Sequence, residues 1–420
     1  RRSPMSLRIR FFLFFLFFLA LFPIPVRSEA GPKTGNLPAL QAEVQRLREL
    51  EFLRPVQSRE MSLEEAGQEV RQMLGRDLET PSARGRELFL QSLGLLPEGT
   101  SLESSLVDLF GEQIRGLYDP RKQVFVVVRE VPDSLPSSAI SAAVGLDLGE
   151  LYTLHELVHA LQDQHFGLLA LEEGTRGNFD ALMALRALLE GDANLVMFQA
   201  AARRMGLDAG LVVSLLGSGP PPGLPGLDAY PQFQGAPRFL QEFLTMPYFQ
   251  GMGFVAALHR DGGWPRVGSA FRELPASTEH ILHPEKFLRG DDPPLRVDLS
   301  DLPGKFGSYA LLSEDTAGEF LIRVWGEENL GIERGRQAAA GWGGDSWRLY
   351  ATDQDRFFLW VTAWDTEADA REFEALARKA RAAHTDRIER NGARVLVISG
   401  APGELVQAIS SAAGKAKIHP

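Results

Sequence analysis

The sequence predicts an α+β fold, mostly helical in its middle, with an N-terminal helical region and a small C-terminal α/β layer domain. Three observations lead there. Apolar residues recur three and four apart through much of the first half of the chain, the spacing of one helix face. One short run, Gln123 to Val128, breaks that period with β-branched and aromatic residues. From about Leu302 onward, strand-like and helix-like segments alternate. The 420 residues divide on this reading into 1–30, 31–105, 106–300 and 301–420.

The first segment has the make-up of a secretory signal peptide. Arg8 and Arg10 precede an unbroken apolar run, Phe11 to Phe22, and Pro23 and Pro25 end it before the small-x-small triplet Ser28-Glu29-Ala30. The run is shorter than the roughly 20 residues a bilayer-spanning helix needs. The expected location is extracytoplasmic, periplasmic or secreted, after cleavage; membrane contact is expected only through this segment if it stays uncleaved.

In 31–105, Leu40, Val44, Leu47 and Leu50 mark a helix over Leu37 to Leu53. Ser62 with Glu65 forms a capping box that opens a second helix, ending near Gly75. A third covers Ala83 to Leu93. In 106–300, the turn cluster Gly116 to Pro120 leads into the strand Gln123 to Val128. The polar connection Asp133 to Ser138 then leads to a long helix ending near Gln164, and a second helix runs from Phe179 to Met205. Gly217 to Gly226 reads as a loop whose prolines remove the amide donors a phosphate cradle needs. In 301–420, strands are expected at Phe357 to Trp364 and Ala393 to Ser399, with helices at Thr366 to Ala382 and Gly403 to Ala413.

Composition narrows the chemistry. Net charge is −11 and there is no long basic run, which argues against a nucleic-acid partner. There are no cysteines, so any zinc ligands must come from His, Asp and Glu.

His155-Glu156-Leu157-Val158-His159 meets that requirement. Two histidines four apart lie one turn above each other on a helix and can reach one ion, while Glu156, displaced around the helix, can meet the ion's water. About 0.02 such matches are expected by chance in a chain of this composition. The third ligand is expected to be Glu190 on the second helix, where Gly191 would allow two helices to approach closely. Asp192 is the rival ligand, or else an acceptor that orients a ligand histidine. His165 falls on a different helical face and reads as a helix-end residue.

The His-Glu-x-x-His helix followed by Glu190-Gly-Asp-Ala193 resembles the gluzincin branch of zinc metallopeptidases. The stretch His155 to Phe166, with Gly116-Leu-Tyr-Asp-Pro120, Pro275-Ala-Ser-Thr-Glu279 and Leu282-His-Pro-Glu-Lys286, resembles a family of exported bacterial proteins that is largely uncharacterised. Gly341-Trp-Gly-Gly-Asp345 and Trp364-Asp-Thr366 extend the likeness toward the C terminus. The resemblance implies a zincin-like catalytic domain over 106–300, zinc held by His155, His159 and Glu190, Glu156 as general base, and a peptide or protein substrate. It also implies a later His or Tyr that stabilises an oxyanion. His283 is the first candidate and Tyr248 the second, ahead of His280 and Tyr118. Strand Gln123 to Val128 could be the edge that pairs with an extended substrate. Two other readings remain open on sequence: a non-catalytic, zinc-stabilised module that binds envelope partners, and a metallohydrolase of non-peptide amides or esters.

Overall fold

The chain is α+β in a computed structural model that describes residues 37–78, 81–111, 116–128, 148–208, 231–380 and 385–420. Residues 1–30, the connection Asp133 to Ser138 and the loop Gly217 to Gly226 lie outside the described residues.

Helix α1 (Leu37–Arg48) buries Leu40, Val44 and Leu47 but stops short of Leu53, because Glu49 turns into the left-handed region at φ 58°. Strand β1 (Gln57–Met61) follows, then α2 (Leu63–Leu78). The expected capping box opens α2: the Glu65 amide donates to Ser62 Oγ at 3.2 Å and the Ser62 amide to Glu65 Oε2 at 2.7 Å. Helices α3 (Pro81–Ser92) and α4 (Leu102–Gly111) lead to strands β2 (Gly116–Asp119) and β3 (Val124–Val128).

These strands form a sheet in the order β1-β3-β2, with β3 parallel to β1 and antiparallel to β2. Strand β3 is therefore central, and the expectation of a substrate-pairing edge there is overturned. The reason lies in β1, whose sequence Gln-Ser-Arg-Glu-Met carries no strand signature yet pairs along all of β3. Among the described residues, β1 and β2 are the edges.

The helical middle consists of α5 (Leu148–Phe166), α6 (Leu168–Gly174), α7 (Phe179–Arg204), α8 (Pro231–Gly235) and α9 (Arg238–Ala270). Asn178 caps α7 by accepting from the Ala181 amide at 2.9 Å. Helix α7 is buried on nearly all sides, as expected of a central helix. It crosses α9 backbone to backbone: a Cβ on Gly191 would lie 2.2 Å from the Gly251 carbonyl oxygen, and one on Gly251 would lie 2.1 Å from the Ala187 oxygen. Gly191 does mark a close approach, but against Gly251 of α9 and not against the histidine helix α5. Helix α9 bends at Gly262 and Gly263, beside Pro265.

Short helices α10 (Thr278–Leu282) and α11 (Pro284–Arg289) connect to the C-terminal part. There β4 (Arg296–Asp298), β5 (Lys305–Phe306) and β6 (Tyr309–Asp315) precede α12 (Gly318–Leu330) and α13 (Ile332–Ala339). Strands β7 (Trp342–Ala351) and β8 (Arg356–Trp364), helix α14 (Glu367–Lys379), strands β9 (Thr385–Asn391) and β10 (Arg394–Ser399), helix α15 (Gly403–Ala413) and strand β11 (Lys417–His419) complete the chain. The main sheet runs β5-β6-β7-β8-β10-β9 and every neighbouring pair is antiparallel. The expected α/β layer is therefore corrected to an antiparallel sheet with helices on its faces. Alternating strands and helices do not by themselves distinguish a parallel crossover from a helix that returns to an antiparallel neighbour.

Side chains alternate across this sheet. Phe358 and Trp360 join the main core, while Phe357, Leu359 and Val361 face a smaller one with Ile409 of α15. Phe89 of α3 stacks on Trp347 of β7 at 4.2 Å between ring centroids. One core thus runs from the N-terminal helices to the C-terminal sheet, and residue 105 is not a break between separate bodies. Among the described residues, no helix is long and apolar enough to cross a membrane.

Candidate metal centre

Helix α5 presents His155 and His159 toward Glu190 of α7 and carries Glu156 beside strand β2, all of them buried. His155 Nε2 lies 3.1 Å from Glu190 Oε2 and 3.0 Å from His159 Nε2, and His159 Nε2 lies 3.5 Å from the same carboxylate oxygen. The three residues are one of two groups among the described residues with metal-ligating atoms within 4.8 Å of one another. In the other, Glu279, Asp292 and Asp365 surround the Lys286 ammonium at 2.6, 2.6 and 3.0 Å, so a side-chain cation already neutralises them.

Hydrogen bonding sets how the histidines face. Gln162, one turn beyond His159, donates its amide to Leu189 O and to Asp192 Oδ2, both at 3.0 Å. Its oxygen is left to accept from His159 Nδ1 at 2.9 Å. His159 must then carry its proton on Nδ1 and present the Nε2 lone pair to the cluster. Asn194 donates to Tyr248 O at 3.2 Å, and its remaining oxygen lies on the side of His155, whose imidazole it favours in the charged form.

Three ligand atoms, two of them imidazole nitrogens and one a carboxylate oxygen, converge in a water-poor site. Tetrahedral zinc, with bonds of about 2.0–2.1 Å, separates neighbouring ligands by about 3.3 Å. Separations of 3.0, 3.1 and 3.5 Å suit that donor set.

The electrostatics follow from burial. Burial pushes the Glu190 carboxyl upward, but the charge of His159 and hydrogen bonds to both histidines outweigh it and hold Glu190 below the usual carboxylate range. Burial pushes the His155 imidazole down. At His159 the carboxylate of Glu190 overcomes burial and raises it. Burial drives the Glu156 carboxyl up to about 8, eased by the charge of His159. Neither Glu156 oxygen meets a side-chain hydrogen-bond partner, although both are buried, and the Tyr118 backbone is the one polar group that favours its charged form by hydrogen bonding. Such a poorly satisfied carboxyl is costly in a fold and common where a proton must be handled.

Of the two oxyanion candidates, Tyr248 is at the cluster and His283 is not. The Tyr248 ring lies 6.3 Å from that of His155 between centroids, and its phenol hydrogen-bonds Glu190. Burial holds this phenol well above its ordinary range. His283, at the joint between α10 and α11, pairs through Nε2 with Glu319 at 2.9 Å. That joint is tied to the far end of α7, where Asp180 accepts from the Thr278 amide at 3.1 Å. Asp180 precedes Glu190 by ten residues, about 15 Å along the helix. His283 is therefore corrected to a residue of the joint between α10, α11 and α12.

The other candidates have structural partners. His280 accepts from the Ala276 amide through Nδ1 and meets Asp292 O through Nε2. Tyr118 donates its phenol to Asp163 at 2.9 Å, and His165 closes the end of α5 by bonding Glu51 O at 2.8 Å. Asp192 reaches His159 only through Gln162. Sequence reasoning missed Gln162, although it lies seven residues past His155 on the same helical face. It also missed Asn194 and Arg48, and nothing in the sequence links Arg48 to this site.

Residues 297–410 match a domain family of unknown function, DUF8575. This stretch runs from β4 into α15 and contains none of the residues around the candidate metal centre. No curated protein and no solved structure matches the chain.

Proposed function

We propose that the protein is a zinc-dependent hydrolase that cleaves peptide bonds, with His155, His159 and Glu190 as ligands. The leader-like pattern in residues 1–30 adds the proposal that it works outside the cytoplasm. The observation that carries the reading is the convergence of three buried ligand atoms beside a buried Glu156 that no side chain pairs with. A structural zinc site has no need of such a group and usually fills its fourth position with protein.

When bound, zinc supplies Lewis acidity: it polarises a carbonyl and brings the pKa of water near 7. The chain's own residues do the rest. Glu156 takes the proton from the attacking water and passes it to the leaving nitrogen, and its burial makes it a strong enough base to hold that proton in between. The Tyr248 phenol, kept protonated by burial, is a donor for the negative charge that develops on the carbonyl oxygen. Glu190 stays anionic and offsets the charge of the ion.

The test pairs two variants. Glu156→Gln should retain about one zinc per chain by elemental analysis and lose hydrolysis of a mixed peptide library by at least about a hundredfold. His155→Ala should lose the zinc. Activity surviving in Glu156→Gln would refute the mechanism, and a wild-type chain that takes up no zinc would refute the centre.

A further inference from the structure

The hydrogen bonds behind His159 continue to the N-terminal helix. Asp192 accepts from Gln162 on one oxygen and from Arg48 Nε on the other, the latter at 2.7 Å. Arg48 is the last residue of α1 and precedes Asp192 by 144 positions. Both side chains are almost wholly buried, at 2% and 0% exposure, and the guanidinium lies 4.5 Å from the Trp264 ring centroid of α9. A buried ion pair is poor evidence of stabilisation, because desolvating two charges consumes most of the attraction between them. Its retention here calls for a role in geometry.

We infer that Arg48, Asp192 and Gln162 are positioning residues that act in series on His159, so that α1 sets the tautomer and ring orientation of a metal ligand. This rests on the metal centre proposed above. Each member has a defined task. Arg48 holds the Asp192 carboxylate, which fixes which way round the Gln162 amide sits. The Gln162 oxygen then keeps the His159 proton on Nδ1, leaving Nε2 bare toward His155 and Glu190. Without Asp192 the Gln162 NH2 keeps only the Leu189 carbonyl as acceptor, so the amide is held less firmly and the Nε2-protonated tautomer, which cannot ligate through Nε2, gains population. The relay also explains why Arg48 stays buried although its Nη2 has no hydrogen-bond partner: Nε is the atom that the geometry uses.

The experiment uses the full chain in three forms: wild type, Gln162→Leu, and the double variant Arg48→Met/Asp192→Leu, which removes both charges together with the acceptor and leaves neither charge stranded. The first readout is the His159 tautomer in chelator-treated, metal-free protein, from imidazole nitrogen chemical shifts. The second is zinc affinity by competition with a chromophoric chelator, with folding checked by circular dichroism. In the wild type the neutral form of His159 should carry its proton on Nδ1. Both variants should show mixed tautomers and bind zinc about 10–100-fold more weakly. A folded double variant with the wild-type tautomer and zinc affinity within twofold of wild type would overturn the relay. If the wild type takes up no zinc, the proposed centre fails, and the tautomer comparison still decides the relay alone.

Discussion

Replacing Gly251 by alanine tests the helix crossing on which the centre depends. The new Cβ would lie 2.1 Å from the Ala187 carbonyl oxygen, whereas real Cβ contacts essentially never fall below 3.0 Å. Helices α7 and α9 would have to separate locally by about 0.9 Å, because the obstacle is backbone and cannot change rotamer. Gly251 lies one turn from Tyr248, and Gly191, on the other side of the crossing, adjoins Glu190. The separation would pull Glu190 away from Tyr248 while the histidines stay on α5. A shift of about 0.9 Å exceeds the roughly 0.5 Å within which a functional constellation must be held. Overpacking of this kind costs about 1–3 kcal/mol. Gly251→Ala should therefore melt below the wild type in chelator and bind zinc at least about tenfold more weakly. The control is Gly268→Ala in the same helix, where an added Cβ meets nothing within 4 Å. It should be neutral or slightly stabilising, since alanine favours helix by about 1 kcal/mol over glycine. Differential scanning fluorimetry and chelator competition on both variants provide the measurement. If Gly251→Ala behaves like Gly268→Ala in both, the crossing does not hold the centre in place.

Three further outcomes follow from the structure. Asp345 accepts four hydrogen bonds, from the Ala317 and Gly318 amides and the Trp342 and Trp360 indoles, at 2.8–2.9 Å; Asp345→Ala strands all four donors and should cost about 3–5 kcal/mol in urea unfolding, so a loss under 1 kcal/mol would contradict that role. The Glu319 hydrogen bond raises the His283 imidazole above its ordinary range, so the stabilisation is fully present below about pH 6.5 and fades as pH rises through the folded-state value. The Tm gap between wild type and His283→Gln should be wide at pH 6 and narrow at pH 8.5, and a gap that widens with pH would reverse the assignment. Zinc at a hundred times its Kd should stabilise the chelator-treated protein by about 2.7 kcal/mol, against no change in His155→Ala; equal responses would place the ion elsewhere.

The parts of this molecule that could be read in advance are those whose determinants lie within one or two turns of chain. The bounds of α7, the Ser62 capping box, the start of the helix at Thr366 and strand β10 all come from local spacing and local hydrogen bonding, and all lie within a residue or two of the expected positions. The two histidines were legible for the same reason, since one helical turn brings them together whatever surrounds them. What could not be read is pairing between distant segments. Strand β1 has no strand-like pattern because its side chains are mostly exposed and its partner supplies the apolar content. His283 stood in a promising motif, but Glu319 claims its ring, and that contact depends on where α12 begins.

The same distinction explains the construction of the centre. A pair of histidines on one helix positions two lone pairs but leaves the ring torsions open, and two bare imidazole nitrogens 3.0 Å apart repel unless a cation or a proton lies between them. The fold must therefore oppose that repulsion before any ion arrives. It does so with anionic charge in front, from Glu190, and with a hydrogen-bond acceptor behind His159, from Gln162. Glu190 comes from a helix held by contacts that no local motif records, α7 against α9 through paired glycines and α7 against α1 through Arg48 and Asp192, and Gln162, on α5 itself, is steered by that same Asp192. A chain that kept His155, Glu156 and His159 but lost Gly251 or Arg48 would retain the motif and lose the preorganised site. Metal affinity, not the presence of the motif, is thus the property that should track these distant residues.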